Sequence, residues 1–359
     1  MKNNKVCSLL VGLLTTAALL LPQPLWANQA DEGKEKGLDV TGMIFEHIQD
    51  SYYWHLTDWN ETPIAFPLPV IVYSQNSGLH VFMSSKFHHG HEAYEGLYLA
   101  KEGSDHAGKI VEINSAGEEV RPTLDMSITK NVAGLLLTST IFVWVVIGCA
   151  RWYKRKDVET EAPKGSVGMV EMLVDYVYSE IIKPNISEHR ERYTPYLLTV
   201  FFFIFFNNLC GLIPGSANIT GNIAVTVTLA LFTFVITNVF GTKGYWEEVF
   251  WNKQLPMWLR PIMAVIEFIG LFTKPFSLTI RLFANITAGH CAILGVLSVI
   301  FITAISMPGS GNAIMSGISL LLTLFLNCLE LLVAFIQAFV FTMLSAIYIG
   351  MSQVHEHEE

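Results

Sequence analysis

Long apolar stretches constrain this chain more than any other feature of its sequence. Between residues 130 and 350, several apolar runs reach the roughly 20 residues that a helix needs to cross a bilayer. Of the 359 residues, 52% are hydrophobic and 15% are charged, whereas charged residues make up about 25% of a soluble domain. The sequence therefore predicts an all-α polytopic membrane protein over residues 131–350.

The positions of lysine and arginine predict how the chain crosses the membrane. The first span, Val132 to Ala150, is followed by a basic cluster that begins at Arg151, and basic residues mark the cytoplasmic side. Two turns without charged residues, at 215–222 and 306–312, alternate with further basic segments. We therefore expect about five crossings and a cytoplasmic acidic tail at 351–359.

The last two apolar segments are too long for upright spans. Ile262 to Ile305 would cover roughly 66 Å and Ile318 to Gly350 roughly 50 Å as helices, whereas the hydrocarbon core is about 30 Å thick. These helices must therefore tilt strongly or break. Pro275 offers one position for a break.

The N-terminus has the layout of a secretory signal peptide. Lys2 and Lys5 precede a short apolar core, Leu9 to Leu21, and Ala27 offers a small residue before a cleavage site. We predict a signal peptide over residues 1–27. The alternative is an uncleaved first membrane helix.

Residues 28–130 are polar and aromatic, and we expect a small, mostly β extracytoplasmic domain there. The segments "IAFPLPVIVYS" and "LHVFMSSKF" flank the turn "QNSG" and predict two strands. Seven of the eleven histidines lie in this region, but the spacing in "FHHGH" fits no closed zinc pattern. We expect a solvated histidine-rich loop and no metal site. None of the five cysteines lies in this region, so we expect no disulfide framework.

Polar residues at membrane depth are concentrated in the last two apolar segments. Each buried charge costs at least about 2.5 kcal/mol on insertion scales, so these groups should line water or pair with one another. Arg281 and Asn285 are neighbours one helical turn apart, and Glu330 and Gln337 share a helix face. The whole set is Glu267, Lys274, Arg281, Asn285, Thr287 and His290, then Asn327, Glu330, Gln337 and Tyr348.

This set predicts a proton path that is interrupted by a fixed charge. Glutamate and histidine exchange protons near neutral pH when their environment shifts them, whereas arginine stays protonated. Arg281 would therefore block protons and attract a mobile carboxylate, which should lie on a partner subunit. The alternative is a static bridge from Arg281 to Glu330 or Glu267.

The segments "LTIRLFANITAGH" and "LELLVAFIQAFVFTML" closely resemble the signature helices of subunit a of the F-type ATP synthase. The resemblance covers about residues 130–350. It implies a non-catalytic proton-channel subunit in the inner membrane, with partners in a c-subunit ring, the b-subunit stalk and other ATP synthase subunits. It also implies two half-channels beside the ring, and no cofactor or nucleic acid.

The resemblance also implies roles for individual residues. Arg281 would face the ring carboxylate, and Asn285 and Gln337 would flank it. His290 and Glu330 would form the acid–histidine pair of the outer half-channel. Glu267 matches a polar position of the inner half-channel. Tyr348 is added by helical spacing rather than by the resemblance, since it lies eleven residues beyond Gln337 and on nearly the same face. Gly211 stands where many relatives place an acid, so the outer path should differ there.

Two other classes of protein remain as alternatives. A secondary transporter would move a proton together with a solute, and that class often shows internal repeats; none is evident between residues 132–240 and 261–350. A membrane metalloenzyme would need paired histidine ligands, and His290 is the only histidine at membrane depth. Net charge is −9, with 22 basic against 31 acidic residues, which argues against a nucleic-acid surface.

Overall fold

The computed structural model describes residues 49–353, apart from short gaps at 60–61, 75–77, 91, 101–103, 105, 114–117, 157–161, 188, 214, 252–254 and 307–308. The predicted signal peptide, the beginning of the predicted N-terminal domain and most of the predicted tail lie outside the described residues. The chain divides into two compact units. One contains the strands and the other described residues up to Leu136, together with the described residues of 211–217 and 304–306. The other unit contains most of the helical residues.

The first unit is built from short antiparallel strands, as the sequence predicts. Strands β3 and β4 pair antiparallel, with Pro69 opposite Met83 and Ser74 opposite Gly78. The predicted first strand is in fact two strands, because it is interrupted at Leu68. The strands are β1 Tyr53–Trp59, β2 Thr62–Pro67, β3 Pro69–Ser74, β4 Gly78–Met83, β5 Leu97–Leu99, β6 Ile110–Ile113, β7 Glu119–Val120 and β8 Leu124–Asp125.

A small apolar core holds this unit together. Val70 and Val72 of β3 point inward and pack with Phe87, Leu97 and Ile110, all fully buried. Period-two alternation along β3 places these valines on one face of the sheet. The histidine-rich stretch lies partly in a 3-10 helix, Ser84–Gly90, rather than in an open loop.

The helices carry most of the chain. Four of them are long and apolar enough to cross a membrane, or five if α5 and α6, which are bent by 98° at a short break, count as one span. This confirms the prediction of about five crossings. The helices are α1 Lys130–Arg155, α2 Ser166–Val177, α3 Lys183–Asn185, α4 Arg190–Gly211, α5 Ile223–Val239, α6 Lys243–Trp251, α7 Arg260–Ser306 and α8 Gly309–Ser352, with a π-helical turn, Tyr178–Ile182, between α2 and α3.

The two longest helices, α7 and α8, are continuous. They contain 47 and 44 residues, so each is roughly twice as long as a 30 Å hydrocarbon core. The possible break at Pro275 does not occur. Leu271 and Leu278 are buried on either side of Pro275, so other parts of the chain pack against α7 on both sides of the proline, a setting in which membrane helices tolerate this residue.

The core of the second unit forms where α4 meets α8. Phe201 and Phe205 of α4 each contact the ring of Phe335 on α8. At the far end of α8, Thr242 N–H donates to the main-chain oxygen of Ser352 at 2.9 Å. These contacts fix α8 along its length and so position the polar side chains that it carries.

Candidate functional site

Arg281 lies near the middle of α7 and is exposed. The buried stripe of this helix, which includes Leu278, Leu282 and Ile286, packs toward the rest of the chain. Arg281 lies beside that stripe, and Asn285, one turn further on, is exposed as well. Within the described part of the chain, no carboxylate forms an ion pair with Arg281.

Glu330 and His290 form an acid–histidine pair between α8 and α7. Nδ1 of His290 lies 3.4 Å from Oε1 of Glu330, whose side chain is 6% exposed. Neither carboxyl oxygen of Glu330 has a hydrogen-bond partner among the described residues. A buried carboxyl group beside a single histidine and without other partners is well suited to bind and release a proton. The static bridge from Arg281 to Glu330 is absent, because the carboxyl group faces His290 instead.

A glycine allows this pair to form. A Cβ atom at Gly289 would lie 3.0 Å from Oε1 of Glu330, which is tighter than ordinary van der Waals contact. The small residue lets α7 approach the carboxyl group closely. Nothing in the sequence around Gly289 marks it as important, and its role becomes clear only from the packing of α7 against α8.

A group of amides and hydroxyls lies one turn of α8 beyond Glu330. Asn208 of α4 donates to the main-chain oxygen of Ala334 at 3.3 Å and accepts from the hydroxyl of Thr220 at 2.7 Å. Its neighbour Asn207 accepts from the hydroxyl of Thr138 at 2.7 Å. These asparagines were missed at the sequence level, although two adjacent amides in an apolar run are a usable signal.

A second polar region lies toward the other end of α8. The hydroxyl of Tyr196 lies 2.8 Å from that of Thr233, which lies 3.3 Å from that of Ser345. We call these three residues the hydroxyl cluster. Beside it, Nζ of Lys274 lies 5.4 Å from the centre of the Tyr348 ring. Lys274 and Tyr348 line one narrow cleft between α5, α7 and α8, which we call the Lys274 cleft.

These contacts fix the antiparallel register of α7 and α8. Lys274 meets Tyr348, and His290 meets Glu330, so Gln337 lies at the level of the turn that begins at Arg281. Along the axis of α7, Arg281 is about 10 Å from Lys274 and about 14 Å from His290. Arg281 therefore stands between two polar regions.

Of the remaining predicted residues, Gln337 lies with the polar groups of α8, whereas Glu267 lies apart from them. Gln337 is 5% exposed and lies on the same face of α8 as Glu330 and Tyr348. Glu267 lies apart from the others, two further turns from Lys274, and interacts electrostatically with Tyr245 of α6. No ion pair joins Glu267 to Arg281 among the described residues.

The fold and the site define a polytopic helical membrane protein whose two longest helices carry ionisable groups at membrane depth. The family model described as ATP synthase A chain matches residues 135–350. The chain belongs to the ATP synthase A chain family. A second family model, described as Domain of unknown function (DUF8433), matches residues 43–131.

Several curated proteins are similar to the chain over its helical part. ATP synthase subunit a of Chloroherpeton thalassium is 44% identical over 237 residues, which cover 65% of this chain and 68% of that protein. ATP synthase subunit a 2 of Chlorobaculum tepidum is 45% identical over 236 residues, covering 64% of each. ATP synthase subunit a of Anaeromyxobacter dehalogenans is 45% identical over 245 residues, covering 66% of this chain and 60% of that protein.

Proposed function

We propose that this chain is the proton-translocating stator subunit of an F-type ATP synthase, with two half-channels beside a rotating ring of c-subunits. The observation that carries the proposal is the position of Arg281, an exposed cation between two polar regions of α7 and α8 that forms no ion pair with any residue the structure describes. Membership of the ATP synthase A chain family supports it. The chain itself would carry no catalytic site, because ATP chemistry belongs to other subunits.

Arg281 would act as a charge that never titrates. A carboxylate of the ring is held ionised while it passes the guanidinium group, because the opposite charge favours its anionic form. The same positive charge repels a proton that would cross directly from one half-channel to the other. Asn285 and Gln337, at the same level, would flank the passing carboxylate.

The outer half-channel would lead to the acid–histidine pair. Protons entering from the outer side would pass Asn208 and reach Glu330 and His290, which exchange protons and hand them to the ring. This route suits the structure because the polar contacts of Asn208 reach Ala334, one turn of α8 from Glu330. Many relatives have an acidic residue where this chain has Gly211. In this chain, amides and hydroxyls would therefore line that part of the outer half-channel.

The inner half-channel would run past the Lys274 cleft and the hydroxyl cluster toward Glu267. Tyr348 lies on the same line of α8 as Glu330, because eighteen residues make five full helical turns. A single face of α8 therefore carries polar groups from one half-channel to the other, with Gln337 between them.

We further propose an inner-membrane location with the N-terminal domain outside and the C-terminus in the cytoplasm. The signal-peptide pattern at 1–27 and the basic residues after α1 both support this orientation. The domains would be residues 28–130 outside, 131–350 in the membrane and 351–359 in the cytoplasm. The b-subunit stalk would hold the chain against the rotation of the ring.

The experiment that tests this function is ATP-driven proton pumping in inverted membrane vesicles that contain the whole complex. We expect Arg281→Ala to abolish pumping while the complex still assembles. Arg155→Ala is the matched control, because Arg155 is exposed at the end of α1, a helix that carries neither Arg281 nor any residue of the proposed inner path; it should pump close to wild type. Normal pumping by Arg281→Ala would refute the proposal and would favour the solute transporter.

A further inference from the structure

We propose that Lys274 sets the proton affinity of the inner half-channel, through a fixed positive charge that favours proton release to the cytoplasm. This inference rests on the proposed function. It concerns a residue that the function itself does not require, since neither the gate at Arg281 nor the acid–histidine pair involves Lys274.

The first observation is the spacing of charges along α7. Glu267, Lys274 and Arg281 follow one another at intervals of seven residues. Seven residues are about 10 Å along the axis and return to nearly the same helix face, with a drift of about 20°. Lys274 therefore lies midway between the proposed gate and the proposed cytoplasmic mouth.

The second observation is how the ammonium group is held. Nζ of Lys274 lies 5.4 Å from the centre of the Tyr348 ring, within the range of a cation–π contact. Lys274 is only partly exposed and helps to line the cleft between α5, α7 and α8. The contact with Tyr348 keeps the charge in this cleft instead of letting the long side chain extend away from it.

The third observation is that the surrounding elements supply no counter-charge in the described part of the chain. Thr233 and Thr237 of α5 and Tyr348 of α8 line the cleft, and none of these side chains carries a negative charge at neutral pH. On α7 itself the nearest charged groups along this face are Glu267 and Arg281, one heptad away on each side. No carboxylate forms an ion pair with Lys274 among the described residues.

A cation in this position, with no ion pair to any described residue, makes the two half-channels unequal. Glu330 gives the outer path a group that attracts protons, whereas Lys274 repels them from the inner path. A ring carboxylate that has reached the inner path is stabilised as an anion by the nearby charge and so gives up its proton more readily. The asymmetry would assist release during ATP synthesis.

The test is the dependence of ATP-driven pumping on the pH of the medium, which is the cytoplasmic side in inverted vesicles. In this direction protons are loaded from the medium, and pumping fails when the medium is too alkaline. Without the lysine charge, the loading site should bind protons more tightly. We expect Lys274→Gln to shift the alkaline limb of the pumping-against-pH profile upward by roughly half to one pH unit. This is the effect of removing a unit charge about 10 Å from a carboxylate at the level of Arg281.

Two matched variants are assayed beside Lys274→Gln. At each pH, the pumping rate is divided by the rate of uncoupled ATP hydrolysis. Lys274→Arg keeps the charge and should restore the wild-type limb. Lys243→Gln removes an exposed lysine of α6 and should leave the limb in place. A loss of pumping by Lys274→Gln that is equal at every pH would mean a packing role and would overturn the inference, as would an unchanged profile.

The result for Lys274 can be distinguished from the result for the proposed function. Arg281→Ala is assayed in the same vesicles. If Arg281→Ala abolishes pumping while Lys274→Gln shows no shift, the function stands and the role of Lys274 falls. If Arg281→Ala pumps normally, both fall.

Discussion

Nδ1 of His290 lies 3.4 Å from Oε1 of Glu330, and this contact joins the two longest helices among the described residues. The carboxyl group is buried, and neither of its oxygens has a hydrogen-bond partner in the described part of the chain. The pair is costly to bury in an apolar surrounding. That cost is understandable if the pair exchanges protons.

The pair should behave as one unit when it is mutated. We expect Glu330→Gln and His290→Gln each to reduce the initial rate of ATP-driven pumping by at least tenfold. The double variant should be little worse than either single variant, because residues in one contact network are not additive. If the two losses multiply in the double variant, the residues act independently and the paired role is wrong.

The space at Gly289 should also be required. A methyl group there would stand 3.0 Å from Oε1 of Glu330, so Gly289→Ala should displace the carboxyl group and slow pumping several-fold. Gly295→Ala is the matched control on the same helix, because a Cβ atom at Gly295 would meet no atom within 4 Å. Both variants should assemble, as judged by recovery of the purified complex. Equal pumping by the two variants would contradict the close approach of α7 to Glu330.

The crossing of α8 with α3 should be sensitive to a single methyl group. A Cβ atom at Gly350 would overlap the main-chain oxygen of Asn185, so Gly350→Ala must push the two helices apart. Overpacking of this kind costs about 1 to 3 kcal/mol. We expect a lower thermal midpoint for the detergent-purified complex, whereas Gly317→Ala, with open space around it, should leave the midpoint unchanged. An unchanged midpoint for Gly350→Ala would mean that the helices do not cross there.

The β unit should depend on its small core. Val72 is fully buried and Val81, on the paired strand β4, is 64% exposed. Val72→Ala should destabilise the unit by about 2 kcal/mol and speed its cleavage by protease in the purified complex. Val81→Ala should change the cleavage rate little. Similar rates for the two variants would show that the valines do not differ in burial.

Much of this architecture follows from the sequence because bilayer thickness and charge placement restrict it so strongly. Apolar runs predict the spans, and a few polar residues within them, such as Arg281 and Glu330, mark the candidate site. The sequence also predicts the β region, although it misses the interruption at Leu68. Of the two alternatives for the longest helices, strong tilt or a break, the break at Pro275 does not occur: α7 continues through this residue, with buried residues on both sides of it.

The contacts between helices could not be predicted in the same way. Thr233, Ser345 and Tyr196 are unremarkable in apolar segments, since hydroxyls can bond to their own helix backbone. They form a cluster only because α4, α5 and α8 meet there. The same reasoning applies to Gly289, whose importance depends on a carboxyl group forty-one positions away in the chain.

The most direct test of the central claim is passive proton flow through vesicles stripped of the soluble catalytic sector, with the wild type compared with Arg281→Ala. The account predicts that the variant conducts protons at least as fast as the wild type although it no longer pumps, because the charge that separates the two half-channels is gone. The contradictory result is a variant that still pumps normally with an unchanged leak. Arg281 would then have no role as a gate.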